Sequence, residues 1–338
     1  MVSSASRLVL DLVARVGALA DGETAQVPVL PGEEQVVAEW CSRTGNDFVE
    51  VRAGSAVVRR GRPPGTDEVL AELPPERRPG ARLWLYTNFD CNLACDYCCS
   101  RSSPQAARRA LGVEAIRRLV QDAAEARVSE VFLTGGEPFL LLDLDEIVAA
   151  CTAYFPTTLL TNGMLFRGPR LDMLRRMSRD RLVPQISLDS ATPERHDRHR
   201  GRGTWQRAVA GIRTALDEGF RVRVAATIPG DEMTSAEEET VFHVFLDDLG
   251  VLRADQIIRP VAQRGFAETG VALTVETLVP EITVTADGTY WHPVGAAHLD
   301  QLVTREIFPL DAAIEDVRRQ FADHQRTMLG AARHFPCA

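Results

Sequence analysis

The chain has 338 residues, 45% hydrophobic and 25% charged, proportions of a soluble globular protein long enough for one large domain and a small one. Its formal charge of −9 argues against general nucleic-acid binding, and no apolar run approaches the length of a membrane span. All 38 basic residues are arginine, which excludes a Schiff-base lysine and ordinary pyridoxal-phosphate chemistry.

Along residues 1–60 the apolar spacing predicts a small α+β domain: a helix at LVLDLVARVGAL, a strand at ETAQVPVL, a helix at EEQVVAEWCSRTG and two strands within DFVEVRAGSAVVRRGR. The first helix carries acidic residues among its apolar ones, which reads as amphipathic rather than as a signal peptide. This order resembles the TusA/SirA-like sulfur-carrier fold, but the Cys-Pro dipeptide that family places at the start of its first helix is missing, so persulfide transfer is not expected. Cys41, beside Trp40, reads as a packing thiol. Residues 61–80 contain five prolines and three glycines and read as a linker.

From residue 81 to 265, short apolar runs alternate with amphipathic helices. RLWLYTN, SEVFLTGG, TTLLTNG, LVPQISLDS, RVRVAATI and ADQIIRPVA read as strands, with five helices between them. This is the pattern of an α/β fold, a parallel sheet or incomplete barrel, whose site residues belong at the C-terminal ends of the strands.

Seven cysteines, an odd number with four of them in CNLACDYCC, Cys91 to Cys99, fit a reducing compartment, and a cytoplasmic location is expected. Cys91, Cys95 and Cys98 are spaced CxxxCxxC in the loop after the first strand. A structural zinc site wants four ligands, usually as two separated pairs, and no second pair follows. Three thiolates suit a [4Fe–4S] cluster with one iron lacking a protein ligand.

Here the sequence resembles the radical SAM superfamily, whose signature is CxxxCxxC after the first strand of a partial (β/α)6 barrel. The resemblance implies a [4Fe–4S] cluster on Cys91, Cys95 and Cys98, and S-adenosylmethionine bound at the open iron and cleaved to a 5'-deoxyadenosyl radical. It places Tyr97 near the adenine. TGGEPFL then matches the family's GGEP motif, with Gly135 and Gly136 allowing close backbone approach and Glu137 engaging the methionine amino group. TNG at 161–163 ends the third strand. SLDS ends the fourth, with Ser187 and Asp189 on one face by period two and implied to contact the cofactor's ribose and carboxylate. HDRHRG resembles the HDxxRG segment of SPASM-type members, putting Arg200 on the cofactor carboxylate through its planar fork; His196 and His199 read as structural or exposed.

Residues 266–338 resemble a SPASM or twitch C-terminal extension in degenerate form: PEITVTADGTYWHPV offers strand, Asp-Gly turn and strand, but His292 stands where an auxiliary-cluster cysteine is usual. No cysteine lies between 152 and 336, so two auxiliary clusters are excluded. Cys99 is expected to point away from the cluster into the barrel wall, Cys151 to lie in the core, and Cys337 is a candidate hydrogen donor to a substrate radical or part of a frayed terminus.

The resemblance thus implies a radical SAM enzyme of oxidoreductase or isomerase type. It would abstract a hydrogen atom from a small-molecule or biosynthetic-intermediate substrate, with an external one-electron reductant such as flavodoxin or ferredoxin, and without nucleic acid or membrane. A peptide-modifying maturase is the alternative. A non-catalytic metal or iron–sulfur protein in sulfur trafficking is the alternative of another class.

Overall fold

A computed structural model describes residues 4–62, 65–229 and 236–334. They fall into two compact units, one running to Glu72 and including the residues from Arg319 onward, the other comprising Leu73–Arg318.

The first unit contains helix α1 (Ser4–Gly17), strand β1 (Thr24–Pro28), helix α2 (Glu34–Thr44), strands β2 (Asp47–Arg52) and β3 (Ser55–Arg59), and helix α3 (Thr66–Ala71). The three strands form an antiparallel sheet in the order β1-β3-β2. Ala53 and Gly54, both at positive φ, make the two-residue turn between β2 and β3 that such a hairpin prefers. Leu8, Leu12 and Val16 follow one another every fourth residue on α1 and pack with Val27, Val37, Cys41, Ala56 and Val58 into a common core. Burial and then Asp47 push the Cys41 thiol up to about 11, consistent with its reading as a packing residue. The sulfur-carrier resemblance rested on element order alone, which does not fix how strands pair, and it is withdrawn.

The Pro-rich stretch is not extended throughout. Between its two proline pairs, TDEVLAEL has no proline or glycine and coils into α3, where the Glu68 carboxylate accepts from the Gly65 N–H at 2.9 Å and Val69 and Leu70 are buried.

The second unit takes up the alternating pattern. Its strands and helices are β4 (Arg82–Tyr86), α4 (Val113–Glu125), β5 (Glu130–Thr134), α5 (Leu144–Tyr154), β6 (Thr157–Thr161), α6 (Pro169–Arg176), β7 (Leu182–Ser187), α7 (Pro193–Arg200), α8 (Thr204–Asp217), β8 (Arg223–Ile228), α9 (Ala236–Asp248) and β9 (Gln256–Pro260). All six strands are parallel and neighbour one another in chain order. Period two explains the burial: Leu83 and Leu85 of β4 are fully buried, whereas Trp84 and Tyr86, on the other face, line a cavity. On α4, Ile116, Leu119, Val120 and Ala123 form the buried stripe of an amphipathic helix.

The C-terminal extension, expected to cap the barrel, adds to its sheet. Strands β10 (Ile282–Thr285), β11 (Gly288–Tyr290) and β12 (Leu302–Thr304) continue the same sheet, giving the order β12-β11-β10-β4-β5-β6-β7-β8-β9. β10 runs parallel to β4, with Ile282 opposite Leu83 and Val284 opposite Leu85, and β10 turns into β11 at the expected Asp287-Gly288. Helix α10 (Leu310–His334) closes the described chain.

Candidate active site

A cavity of about 410 Å3 is lined by the loops at the C-terminal ends of β4, β5, β6 and β7, by α7, by the ends of β8 and β9, and by the segment around β10 and β11. Cys91, Cys95 and Cys98 all line it, together with Tyr97, Gly135, Gly136, Ser187 and Arg200. Glu137 and Asp189 do not line it, and Cys337 lies outside the described residues.

The cysteine loop is held from several sides. Cys91 Sγ accepts from the Leu93 N–H and Cys98 Sγ from the Ser102 N–H, each at 3.4 Å. Gly265, at φ +67, lies so close that an added Cβ would stand 2.1 Å from the Cys98 carbonyl oxygen, and the next N–H, of Phe266, donates to that carbonyl at 3.0 Å. Burial, then Glu137, push the Cys91 thiol up to about 12, and burial also raises Cys95 against the lowering effect of Arg200.

Three thiols lining one cavity are a donor set that fits a [4Fe–4S] cluster with one iron free of protein ligands.

The glycines of GGEP serve packing as much as access. A Cβ on Gly135 would meet the Asn88 carbonyl at 2.5 Å and one on Gly136 the Asp90 carbonyl at 2.1 Å, so the missing side chains let the β5 loop lie on the cysteine loop. The Gly136 and Glu137 N–H groups donate to those two carbonyls at 2.9 and 3.0 Å.

Glu137 departs from the expectation. Its fully buried carboxylate accepts from the Phe139 N–H at 3.1 Å, the Thr161 hydroxyl at 2.7 Å and the Asn162 N–H at 2.8 Å. The side chain is turned into the wall, where it joins the β5 loop to the end of β6, and it is not free for a ligand's amino group. Burial raises its carboxyl above the ordinary range despite these hydrogen bonds. Asn162 extends the join to the cysteine loop by donating to the Asn92 side chain at 2.8 Å.

Asp189 is a second hub. Its carboxylate accepts from Arg200 Nε at 2.6 Å and Nη2 at 3.2 Å, from the Thr227 N–H at 3.0 Å, and from the Tyr97 hydroxyl. Burial works against its charge, yet the Arg200 guanidinium holds the carboxyl below its ordinary range. Arg200 in turn lies over the Tyr97 ring, 5.4 Å from its centroid.

The rest of HDRHRG positions that arginine. His196 is buried and accepts through Nδ1 from the Asp189 N–H at 3.2 Å, and burial first of all brings its pKa down to about 4. Asp197 accepts from the Gly203 and Trp205 N–H groups and pins α7 to α8. His199 reaches Asp96 at 2.9 Å and so ties α7 to the cysteine loop.

Cys99 is corrected. Its side chain lines the cavity beside Tyr86, whose hydroxyl donates to the Pro293 carbonyl at 2.8 Å, rather than pointing into the barrel wall. Cys151 is in the core as expected. Sequence reasoning did not single out Trp84, Thr227, Arg259 or Glu281, all of which line the cavity; even-odd alternation on β4, β8 and β9 was the available signal for the first three.

Comparison with known proteins decides the family of this region. The radical SAM superfamily model matches residues 85–244. This stretch is a radical SAM domain. The radical SAM family uses a [4Fe–4S] cluster and S-adenosylmethionine.

Similar proteins include the antilisterial bacteriocin subtilosin biosynthesis protein AlbA of Bacillus subtilis, 33% identical over 43% of this chain and 33% of that protein. A probable GTP 3',8-cyclase of Methanosarcina acetivorans is 33% identical over 38% of this chain and 40% of that protein. The chain thus matches well under half the length of these radical SAM relatives. Among solved structures, native anSMEcpe with bound AdoMet and Kp18Cys peptide shares the fold, with TM-score 0.55 and 12% identity over 71% of this chain and 82% of that one. Among the described residues no helix is long and apolar enough to cross a membrane.

Proposed function

We propose that the chain is a radical SAM enzyme that binds its cluster through Cys91, Cys95 and Cys98 and abstracts a hydrogen atom from an organic substrate. The observation that carries this reading is that the three thiols, the two glycines of GGEP and Arg200 line one cavity. When bound, the reduced cluster supplies the electron that splits S-adenosylmethionine into methionine and the hydrogen-abstracting radical. The protein's own part is to hold, orient and exclude water. Arg200, with its orientation fixed by Asp189, offers charge to the cofactor carboxylate, Tyr97 an aromatic face, and Ser187 a hydroxyl. The segment carrying Glu281 and His292 supplies a further wall, so a substrate group enters a site enclosed largely by this unit.

The substrate is read as a small molecule or biosynthetic intermediate. A peptide is the second reading, supported by similarity to the subtilosin biosynthesis protein and to the PqqA peptide cyclase of Xanthomonas oryzae, 35% identical over 41% of this chain. Anaerobic reconstitution followed by reduction with S-adenosylmethionine tests the chemistry. About four irons per chain are expected, with 5'-deoxyadenosine formed. Cys91→Ala, Cys95→Ala and Cys98→Ala should each lose the cluster while Cys99→Ala keeps it. Absence of 5'-deoxyadenosine from a protein holding a reduced cluster overturns the reading.

A further inference from the structure

Three charged residues besides the thiols line the cavity: Arg200, Glu281 and Arg259. Two of them are already answered. Arg200 is paired with Asp189, and the Glu281 carboxylate accepts from the Trp84 indole N–H and lies 3.5 Å from Arg82. Arg259, at the end of β9, is exposed at the mouth of the cavity, with one hydrogen bond, at 3.4 Å to the Thr227 hydroxyl, and no carboxylate partner among the described residues. Its charge bears on Tyr86, Cys99 and His292, and His292 also feels the Glu281 carboxylate, which Trp84 and Arg82 already engage.

His292 adds a directed donor. Its Nδ1 accepts from the Val294 N–H at 3.3 Å, so the proton of the neutral ring sits on Nε2. The ring lines the same cavity as Arg259. A guanidinium without a counter-ion and an imidazole N–H in one concave wall are complementary to oxygen atoms bearing negative charge.

We propose that Arg259 and His292 form an anion subsite that holds a carboxylate or phosphate of the substrate, apart from the Arg200 and Asp189 pair that serves the cofactor. The proposal deepens the reading of this cavity as a radical SAM site and rests on it. It makes the substrate an organic acid, a peptide carboxylate or a phosphorylated compound, and assigns to His292, at the place of an auxiliary-cluster ligand, a role in binding rather than in metal ligation.

Calorimetric titration of the reconstituted holoenzyme, saturated with S-adenosylmethionine, tests it. Inorganic phosphate and acetate are the probes, with acetamide as the neutral control. At least one anion should bind at one site per chain and acetamide should not; phosphate alone marks a phosphorylated substrate, acetate alone a carboxylate. Arg259→Gln should weaken the anion about tenfold or more. Arg259→Lys, which keeps the charge and loses the fork, should fall between, and His292→Phe should weaken it by less. Affinity for S-adenosylmethionine should be unchanged in all three. Equal anion binding by Arg259→Gln, or no anion bound by the wild-type chain, overturns the subsite. Loss of S-adenosylmethionine binding in Arg259→Gln overturns it too, by giving that arginine to the cofactor. Failure of the wild-type chain to bind S-adenosylmethionine is a separate result and strikes the underlying reading instead.

Discussion

Two carboxylates buried at strand ends, Glu137 after β5 and Asp189 after β7, look alike in sequence, since each sits in a motif implied to touch the cofactor. Their surroundings are opposite. Glu137 is satisfied by two backbone N–H groups and a hydroxyl, all neutral, and burial raises its carboxyl. Asp189 is satisfied above all by a guanidinium, and its carboxyl is lowered. Neutral donors make a carboxylate into a joint between loops, whereas a cationic donor makes it the means of orienting a charge.

The largest effect should come from removing the cation's partner. Asp189→Asn leaves Arg200 buried without a counter-charge, a loss of roughly 3–5 kcal/mol in stability. Urea unfolding of the variant and its S-adenosylmethionine affinity should fall together; if only stability falls, Asp189 is a joint like Glu137 and the contrast fails.

Next in size is an acid limb that the Asp189 region has and the Glu137 region lacks. His196 is unprotonated in the fold down to about pH 4, while in the unfolded chain it takes its proton near the ordinary imidazole value of 6.5. Its contribution is therefore fully present above pH 6.5 and is lost as pH falls toward 4, by roughly 3 kcal/mol in all. Denaturation midpoints followed from pH 7 to pH 4 should drop less steeply in His196→Asn than in the wild type.

The smallest effect is expected at Glu137→Gln. The amide keeps the shape and one acceptor but turns an N–H toward donors, at about 1–3 kcal/mol. Iron content and S-adenosylmethionine affinity should survive in the folded protein. A selective loss of cofactor affinity at unchanged stability would show that Glu137 contacts the ligand after all.

What the sequence disclosed and what it hid follow from the same physics. The six parallel strands and five helices of the barrel announced themselves through apolar runs and stripes, because each element buries one face. α7 escaped notice as a helix: PERHDRHR has only His196 buried, so no apolar periodicity marks it. The joining of β10 to β4 pairs residues about two hundred positions apart, which local pattern does not encode. At the site, the cysteine loop and the HDRHRG segment were legible as motifs because residue type and order carry them, and the structure brings Cys91, Cys95, Cys98 and Arg200 to one cavity. The direction of Glu137 and of Cys99 was not, since a motif states which side chain stands at a position and not which way it turns.

The contact of Gly265 and Phe266 with the Cys98 carbonyl has a consequence for biogenesis. The turn that shapes the thiol nest is completed by a segment more than 160 residues downstream. During synthesis the nest therefore reaches its final form only after residue 266 has emerged, so the cysteine loop is not complete while only the first strands of the barrel have been made.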